Sequence, residues 1–156
     1  MRQLIAASVV VLAIAAPASA GVEIETVRFN APGPESGTND DINEEYVFIR
    51  NTGERRVNMR GWKLHDSGKE HVFRFGDLTL GRGDYLYVHS GKGKEGQGTG
   101  CSRGVGGGCD NFYSFAWDQE DYVWENPGDT ATLRRSDGSV ASRCSYGRAA
   151  RFQKEC

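Results

Sequence analysis

Short β-forming runs, broken by Gly, Asn and Asp at intervals of roughly 8–12 residues, constrain this chain more than any other feature. No long stretch after residue 20 repeats apolar residues at the spacing of an amphipathic helix. Residues 22–29 alternate, with Val22, Ile24, Thr26 and Arg28 on one side and Glu23, Glu25, Val27 and Phe29 on the other. Residues 46–51, 61–65, 72–75, 85–89, 130–135 and 139–143 read as further strands, the last two meeting at an Asp137-Gly138 turn. About seven strands without a long helix predict an all-β, antiparallel sandwich. A length of 156 residues suits one such domain.

Residues 1–20 are expected to be a secretory signal peptide. Arg2 precedes a mostly apolar stretch over 4–16, and Ala18-Ser19-Ala20 has the small-residue pattern of a cleavage site. That apolar stretch is shorter than the roughly 20 residues a membrane span needs. The expectation is a secreted, extracellular domain over 21–156, with no membrane span. Four cysteines (Cys101, Cys109, Cys144 and Cys156) fit an oxidising compartment as two disulfides. Cys101–Cys109 and Cys144–Cys156 are the favoured pairs, because each closes a short polar loop. No pair has the C-x₂₋₄-C spacing common in structural zinc sites.

Residues 91–109 hold nine glycines in nineteen positions, which predicts a surface loop, because so few side chains bury little apolar area. Six of the chain's sixteen aromatic residues follow: Phe112, Tyr113, Phe115, Trp117, Tyr122 and Trp124, interleaved with acidic residues. Alternate rings in such a segment either close one end of the core or form an exposed binding face.

Catalytic patterns are sparse. His65, Asp66, His71 and His89 match no metal motif, and Ser90 lacks a nucleophile elbow. Gly91-Lys92-Gly93-Lys94-Glu95-Gly96 follows a strand, but the glycines after it preclude the helix a pyrophosphate would need. Arg82-Gly83-Asp84 spells an adhesion tripeptide, and a turn leading into a strand accounts for it equally. Asp40, Asp41, Asn43, Glu44 and Glu45 are oxygen donors for calcium or else a solvated acidic turn; the spacing is not that of the twelve-residue calcium loop. Arg55, Arg56, Arg60, Lys63, Lys69 and Lys92 offer a local basic face against a net charge of -2.

Several blocks in order carry a more specific signal. Tyr46-Val47-Phe48-Ile49-Arg50-Asn51-Thr52-Gly53 precedes Gly61-Trp62-Lys63-Leu64-His65-Asp66, then Phe73-Arg74-Phe75, Leu80 and Gly83-Asp84-Tyr85-Leu86. Val123-Trp124-Glu125-Asn126-Pro127-Gly128-Asp129-Thr130-Ala131-Thr132-Leu133 and Asp137-Gly138 complete the set. Together they resemble the lamin tail domain, an immunoglobulin-like β-sandwich also found in secreted bacterial proteins. The resemblance spans roughly residues 22–146. Arg82 stands where that family often has proline, and the Gly-rich segment is longer than the domain needs.

The resemblance implies an immunoglobulin-like fold and no active site or cofactor. The expected function is therefore a secreted, non-catalytic, monomeric binding or structural module. Its expected partner is an extracellular or cell-envelope protein or a polysaccharide, met by the Gly-rich segment and residues 112–124. Because some members of the family are associated with DNA or with nuclease domains, the alternative is an extracellular DNA-binding or nuclease-accessory domain. A hydrolase would need a site assembled from His65, Asp66 and His89.

Overall fold

A computed structural model describes residues 21–30, 34–101, 108–148 and 151–156; the expected signal peptide and the side chain of Cys101 lie outside them. In chain order the elements are β1 (Val22–Arg28), α1 (Asn39–Ile42), β2 (Tyr46–Asn51), β3 (Val57–Asn58), β4 (Lys63–His65) and β5 (Val72–Arg74). They continue with β6 (Thr79–Leu80), β7 (Tyr85–His89), β8 (Gly96–Cys101), β9 (Cys109–Ala116), β10 (Gly128–Arg134), β11 (Val140–Gly147) and β12 (Gln153–Glu155). A six-stranded sheet runs in the order β12-β1-β2-β7-β9-β8, and a four-stranded sheet in the order β11-β10-β4-β5. A short β3-β6 pair completes the set. Nearly all pairs are antiparallel; β7 and β9 are parallel. The protein is an immunoglobulin-like β-sandwich, as its sequence predicts.

The inner faces meet in one core. Val47, Ile49, Leu86 and Val88 come from the larger sheet, and Leu64, Ala131, Leu133 and Cys144 from the smaller. Phe29 stacks on Tyr146 with ring centroids 3.9 Å apart, and Trp117 packs edge-on against Trp124 at 5.9 Å. Burying each such side chain contributes roughly 1.5–3 kcal/mol, so the core supplies most of the favourable free energy.

Strand β1 corrects the simple alternation. Val22 and Ile24 face inward, yet so do Val27 and Phe29, which fall on the other side of a strict two-residue period. The register shifts between Ile24 and Thr26, opposite the adjacent β2 residues Ile49 and Phe48. One extra residue there forms a β-bulge, which turns the second half of the strand over. Both apolar pairs thereby reach the core.

The Gly-rich segment differs from the expected loop along part of its length. Gly96, Gly98 and Gly100 belong to β8, paired with Ser114, Phe112 and Asp110 of β9. Sheet hydrogen bonds need only backbone groups, so side-chain poverty does not prevent an edge strand. Strand β12 is likewise invisible to hydrophobic patterning, since Gln153, Lys154 and Glu155 are all exposed. It forms because β1 offers an open edge and because Cys144 and Cys156 are joined, with Cα atoms 5.7 Å apart. Cys109 is also disulfide-bonded, and its register partner across the hairpin is Cys101.

Gly128 opens β10 with φ at 144°, and a Cβ there would lie 2.8 Å from the Tyr146 carbonyl oxygen. Neither the conformation nor the contact tolerates a side chain. Gly128→Ala is expected to destabilise the protein by roughly 2–4 kcal/mol. Urea unfolding would check this, with the loss appearing as a lower midpoint at unchanged slope.

Candidate functional site

Strand alternation sends a second set of side chains outward from the six-stranded sheet. Along β2 these are Tyr46, Phe48 and Arg50; along β7, Tyr85, Tyr87 and His89; along β9, Phe112 and Ser114. All are partly exposed. The rings form a continuous set: Phe48 lies 5.0 Å from Tyr87 and 5.5 Å from Tyr85, and Tyr46 lies 5.3 Å from Tyr87. Phe112 extends the row, nearly parallel to Tyr85 at 6.1 Å. Arg28 caps the other end, its guanidinium carbon 5.8 Å from the Tyr46 ring centre. Burial, then the neighbouring Tyr46 and Tyr85, hold the Tyr87 hydroxyl above the ordinary tyrosine pKa.

The glycines of β8 make room for this surface. A Cβ on Gly98 would come within 2.6 Å of the Phe112 ring, and one on Gly100 within 3.2 Å of the Tyr85 hydroxyl. Residues on β8 that share the ring face are glycines, so the aromatic row runs onto a low, bare backbone edge.

Of the six rings proposed from sequence, only Phe112 belongs to this face. Trp117 and Trp124 are core residues, 6% and 1% exposed, and neither presents a surface to a partner. Tyr113 and Phe115 point inward and pack against the core, where they line an open groove of about 370 Å³ with Leu78. Tyr122 is tied to the acidic turn, donating to Asp41 Oδ2 at 2.6 Å and accepting from the Gly37 amide at 3.1 Å. Sequence reasoning missed Tyr46, Phe48, Tyr85 and Tyr87. The available signal was the alternation itself, which put an aromatic at every second position of two adjacent strands.

The acidic residues are spent on local contacts. Asp41 also accepts from the Ser36 hydroxyl at 3.1 Å, and Glu44 pairs with Arg28 at 2.9 Å. Asn43 is buried and donates to the Lys92 carbonyl at 2.8 Å; Asp40 has no side-chain hydrogen bond or ion pair among the described residues. Hydrogen bonds from Tyr122 and Ser36 hold the Asp41 carboxyl below its ordinary pKa. Among the described residues no three His, Cys, Asp or Glu side chains are arranged to hold a metal ion. Two of the six cations suggested as a basic face are neutralised at the surface, Arg60 by Asp77 at 3.4 Å and Lys92 by Glu120 at 2.7 Å.

The histidines do not converge. His65 and Asp66 lie at the end of β4 in the smaller sheet, whereas His89 belongs to β7 in the larger one. His89 donates through Nδ1 to the Asn43 carbonyl at 2.9 Å, and its burial holds the pKa below the ordinary value. Ser90 is fully buried. Asp84 of the Arg82-Gly83-Asp84 tripeptide is 5% exposed and accepts from the Gly81 and Asn111 amides at 2.7 and 2.8 Å. It organises a turn and is not displayed.

Residues 15–148 match the model of the Lamin Tail Domain family. The chain belongs to the lamin tail domain family. That family is non-enzymatic and immunoglobulin-like, of a protein-interaction type. No curated protein matches this chain. Among the described residues no helix is long and apolar enough to cross a membrane.

One end of this lamin tail domain carries an unusual buried acid. Glu45 is 1% exposed; its Oε2 accepts from the Val123 amide at 2.9 Å, while Oε1 has no partner among the described residues. Ser90 Oγ, Trp124 Nε1 and the Tyr146 hydroxyl are also buried and have no hydrogen-bond partner among the described residues. Burial pushes the Glu45 pKa up to about 8, against a smaller opposing effect of the Val123 amide. The Ser90 hydroxyl lies beside the carboxyl, outside hydrogen-bonding geometry, and opposes the shift more weakly.

The consequence for stability has a definite sign. Below the ordinary pKa of 4.5, Glu45 is protonated in both folded and unfolded chains. Between that value and about 8 the unfolded chain loses the proton and the folded one keeps it, so stability falls as pH rises. Above about 8 the loss is complete. Unfolding free energy from this group is expected to drop by roughly 3–5 kcal/mol across the window. Glu45→Gln, which keeps the acceptor for Val123, should flatten the profile and leave the variant more stable than the parent at pH 8. Urea titrations at pH 5 and pH 8 would measure both effects.

Proposed function

We propose that this lamin tail domain is a secreted binding module whose contact surface is the outer face of the six-stranded sheet, and whose partner is an extracellular polysaccharide. The observation that carries the reading is the row formed by Tyr46, Phe48, Tyr85, Tyr87 and Phe112 beside the glycine strand β8. Flat rings give apolar area at small entropic cost, and the tyrosine hydroxyls supply polar contacts at the same surface. A sugar ring has the matching character, with apolar C–H faces and a polar rim. A cell-envelope protein would use the same rings as anchors, and the family's interaction-type character is compatible with either partner.

Secretion is the compartment this reading requires. The Cys144–Cys156 disulfide supports an oxidising environment, and the small-residue pattern at Ala18-Ser19-Ala20 supplies the route. The domain acts as a monomer without a cofactor, presenting the row on a scaffold that excludes it from the core. In this reading Phe112 and the Gly-rich β8 carry the contact role expected of residues 91–109 and 112–124, while Trp117 and Trp124 pack in the core.

Binding of the purified protein to an array of defined polysaccharides, with duplex DNA and cell-envelope protein included, tests this reading. Tyr87→Ala and Phe112→Ala should each weaken polysaccharide binding about tenfold or more, as expected of a hot-spot ring, with only a small change in melting temperature. Trp124→Ala should instead destabilise the fold by roughly 3–5 kcal/mol. Binding to no polysaccharide, or binding to DNA alone with a steep salt dependence, would replace this reading with another.

A further inference from the structure

The opposite side of the sandwich carries a second surface of different chemistry. An open groove of about 420 Å³ lies on the outer face of the four-stranded sheet. Three cations line it, Lys69, Arg134 and Arg143, together with the hydroxyl groups of Ser67, Thr132 and Ser145. The strand register builds this set: Thr132 sits between Arg143 of β11 and His65 of β4, and Thr130 lies opposite Ser145. Inward neighbours Ala131, Leu133 and Cys144 are core residues, so alternation fixes these side chains outward.

The charge is unbalanced. Among the described residues none of the three cations has a carboxylate partner, although five other lysine and arginine side chains do. No carboxylate among the described residues lines the groove. Two acids next to groove residues are engaged elsewhere: Asp129 accepts from the Ser67 and Thr130 amides at 3.0 and 2.6 Å, and Asp66 lies 3.1 Å from His71 Nδ1.

The groove is also held in shape. His65 Nδ1 lies 2.7 Å from the Asp66 carbonyl, to which it must donate, and its Nε2 accepts from Arg134 Nε at 3.1 Å. Arg134 Nη1 donates to the Gly138 carbonyl at 2.9 Å, leaving Nη2 unengaged among the described residues. The guanidinium is therefore aimed before any ligand arrives, which reduces the ordering cost of binding. Lys69 has φ at 59°, a left-handed conformation that glycine adopts without strain and lysine does not. That left-handed residue closes the turn in which the Lys69 amide donates to the Asp66 carbonyl at 3.4 Å and sets Lys69 at the groove.

We propose that this groove binds the oxyanion of a phosphorylated or sulfated sugar. Lys69, Arg134 and Arg143 supply the charge, and the serine and threonine hydroxyls meet the remaining oxygens of the anion and its carrier. The volume falls within the range of small-molecule sites, so the oxyanion is held as part of a larger polar molecule. This site lies on the sheet opposite the aromatic row and does not rest on the function proposed for that row.

Calorimetric titration of the purified protein with glucose 6-phosphate, glucose 6-sulfate, glucose, inorganic phosphate and inorganic sulfate tests the assignment. One or both sugar esters should bind more tightly than the matching inorganic ion, with affinity falling as salt is raised, and glucose should not bind. The comparison of the two esters identifies the oxyanion. Arg143→Ser and Lys69→Gly should each weaken the preferred ester by about fivefold or more. Lys69→Gly should raise the melting temperature at the same time, a combination that a purely structural lysine would not give. The Arg55→Ser, Arg56→Ser double variant removes two charges away from the groove and should change affinity by less than about twofold. No binding of either ester at low salt would overturn the proposal. So would equal binding of ester and inorganic ion, or a control variant as weakened as the groove variants.

Discussion

Everything in this molecule follows from the burial of one face of each sheet against the other. Val47, Ile49, Leu86 and Val88 meet Leu64, Ala131 and Leu133 across the sandwich, and none of these seven side chains is exposed. Because side chains alternate along a strand, committing these positions to the core commits their neighbours to solvent. The same strands that make the core therefore make two outer surfaces. One carries a row of aromatic rings; the other carries cations and hydroxyls. Their different chemistry is written in the residues between the core positions, and the fold decides which of those residues become neighbours.

The core is not uniformly apolar. Among the described residues Glu45 has one buried carboxyl oxygen unpartnered, and Ser90 Oγ, Trp124 Nε1 and the Tyr146 hydroxyl share that condition. Such groups cost stability, since burial removes water without supplying a full set of hydrogen bonds. Glu45 lessens the cost by holding its proton, and its bond to the Val123 amide joins the start of β2 to the segment that carries Trp124. That segment closes the end of the sandwich.

Much of the architecture was legible because it rests on local rules. Strands β2, β4, β7 and β10 and the Asp137-Gly138 turn stand where alternation and turn chemistry put them. Four of the missed strands share a physical cause. The two-residue pair β3 and β6 is too short to show a period, β12 has no apolar residue, and β8 is largely glycine. Each exists because a neighbouring strand offers backbone hydrogen bonds, and no pattern within the segment reports the neighbour. The candidate surface divides in the same way. Phe112 was visible in a conspicuous aromatic cluster, but most of that cluster is inward-facing or tied to the acidic turn. The rings on the outer face belong to strands distant in sequence.

The sequence by itself determined the class of fold and the family, and favoured the Cys144–Cys156 link among three possible pairings. Strand periodicity, turn residues and the short separation of those cysteines are local properties that do not depend on how sheets assemble. Tertiary structure decided the inward turn of Trp117 and Trp124, the bulge that brings both halves of β1 to the core, and the union of Tyr46, Phe48, Tyr85, Tyr87 and Phe112 on one face. It also decided that Lys69, Arg134 and Arg143 share a groove. These are matters of register and strand order, set by pairings between distant segments, and a one-residue slip in any of them would exchange core for surface.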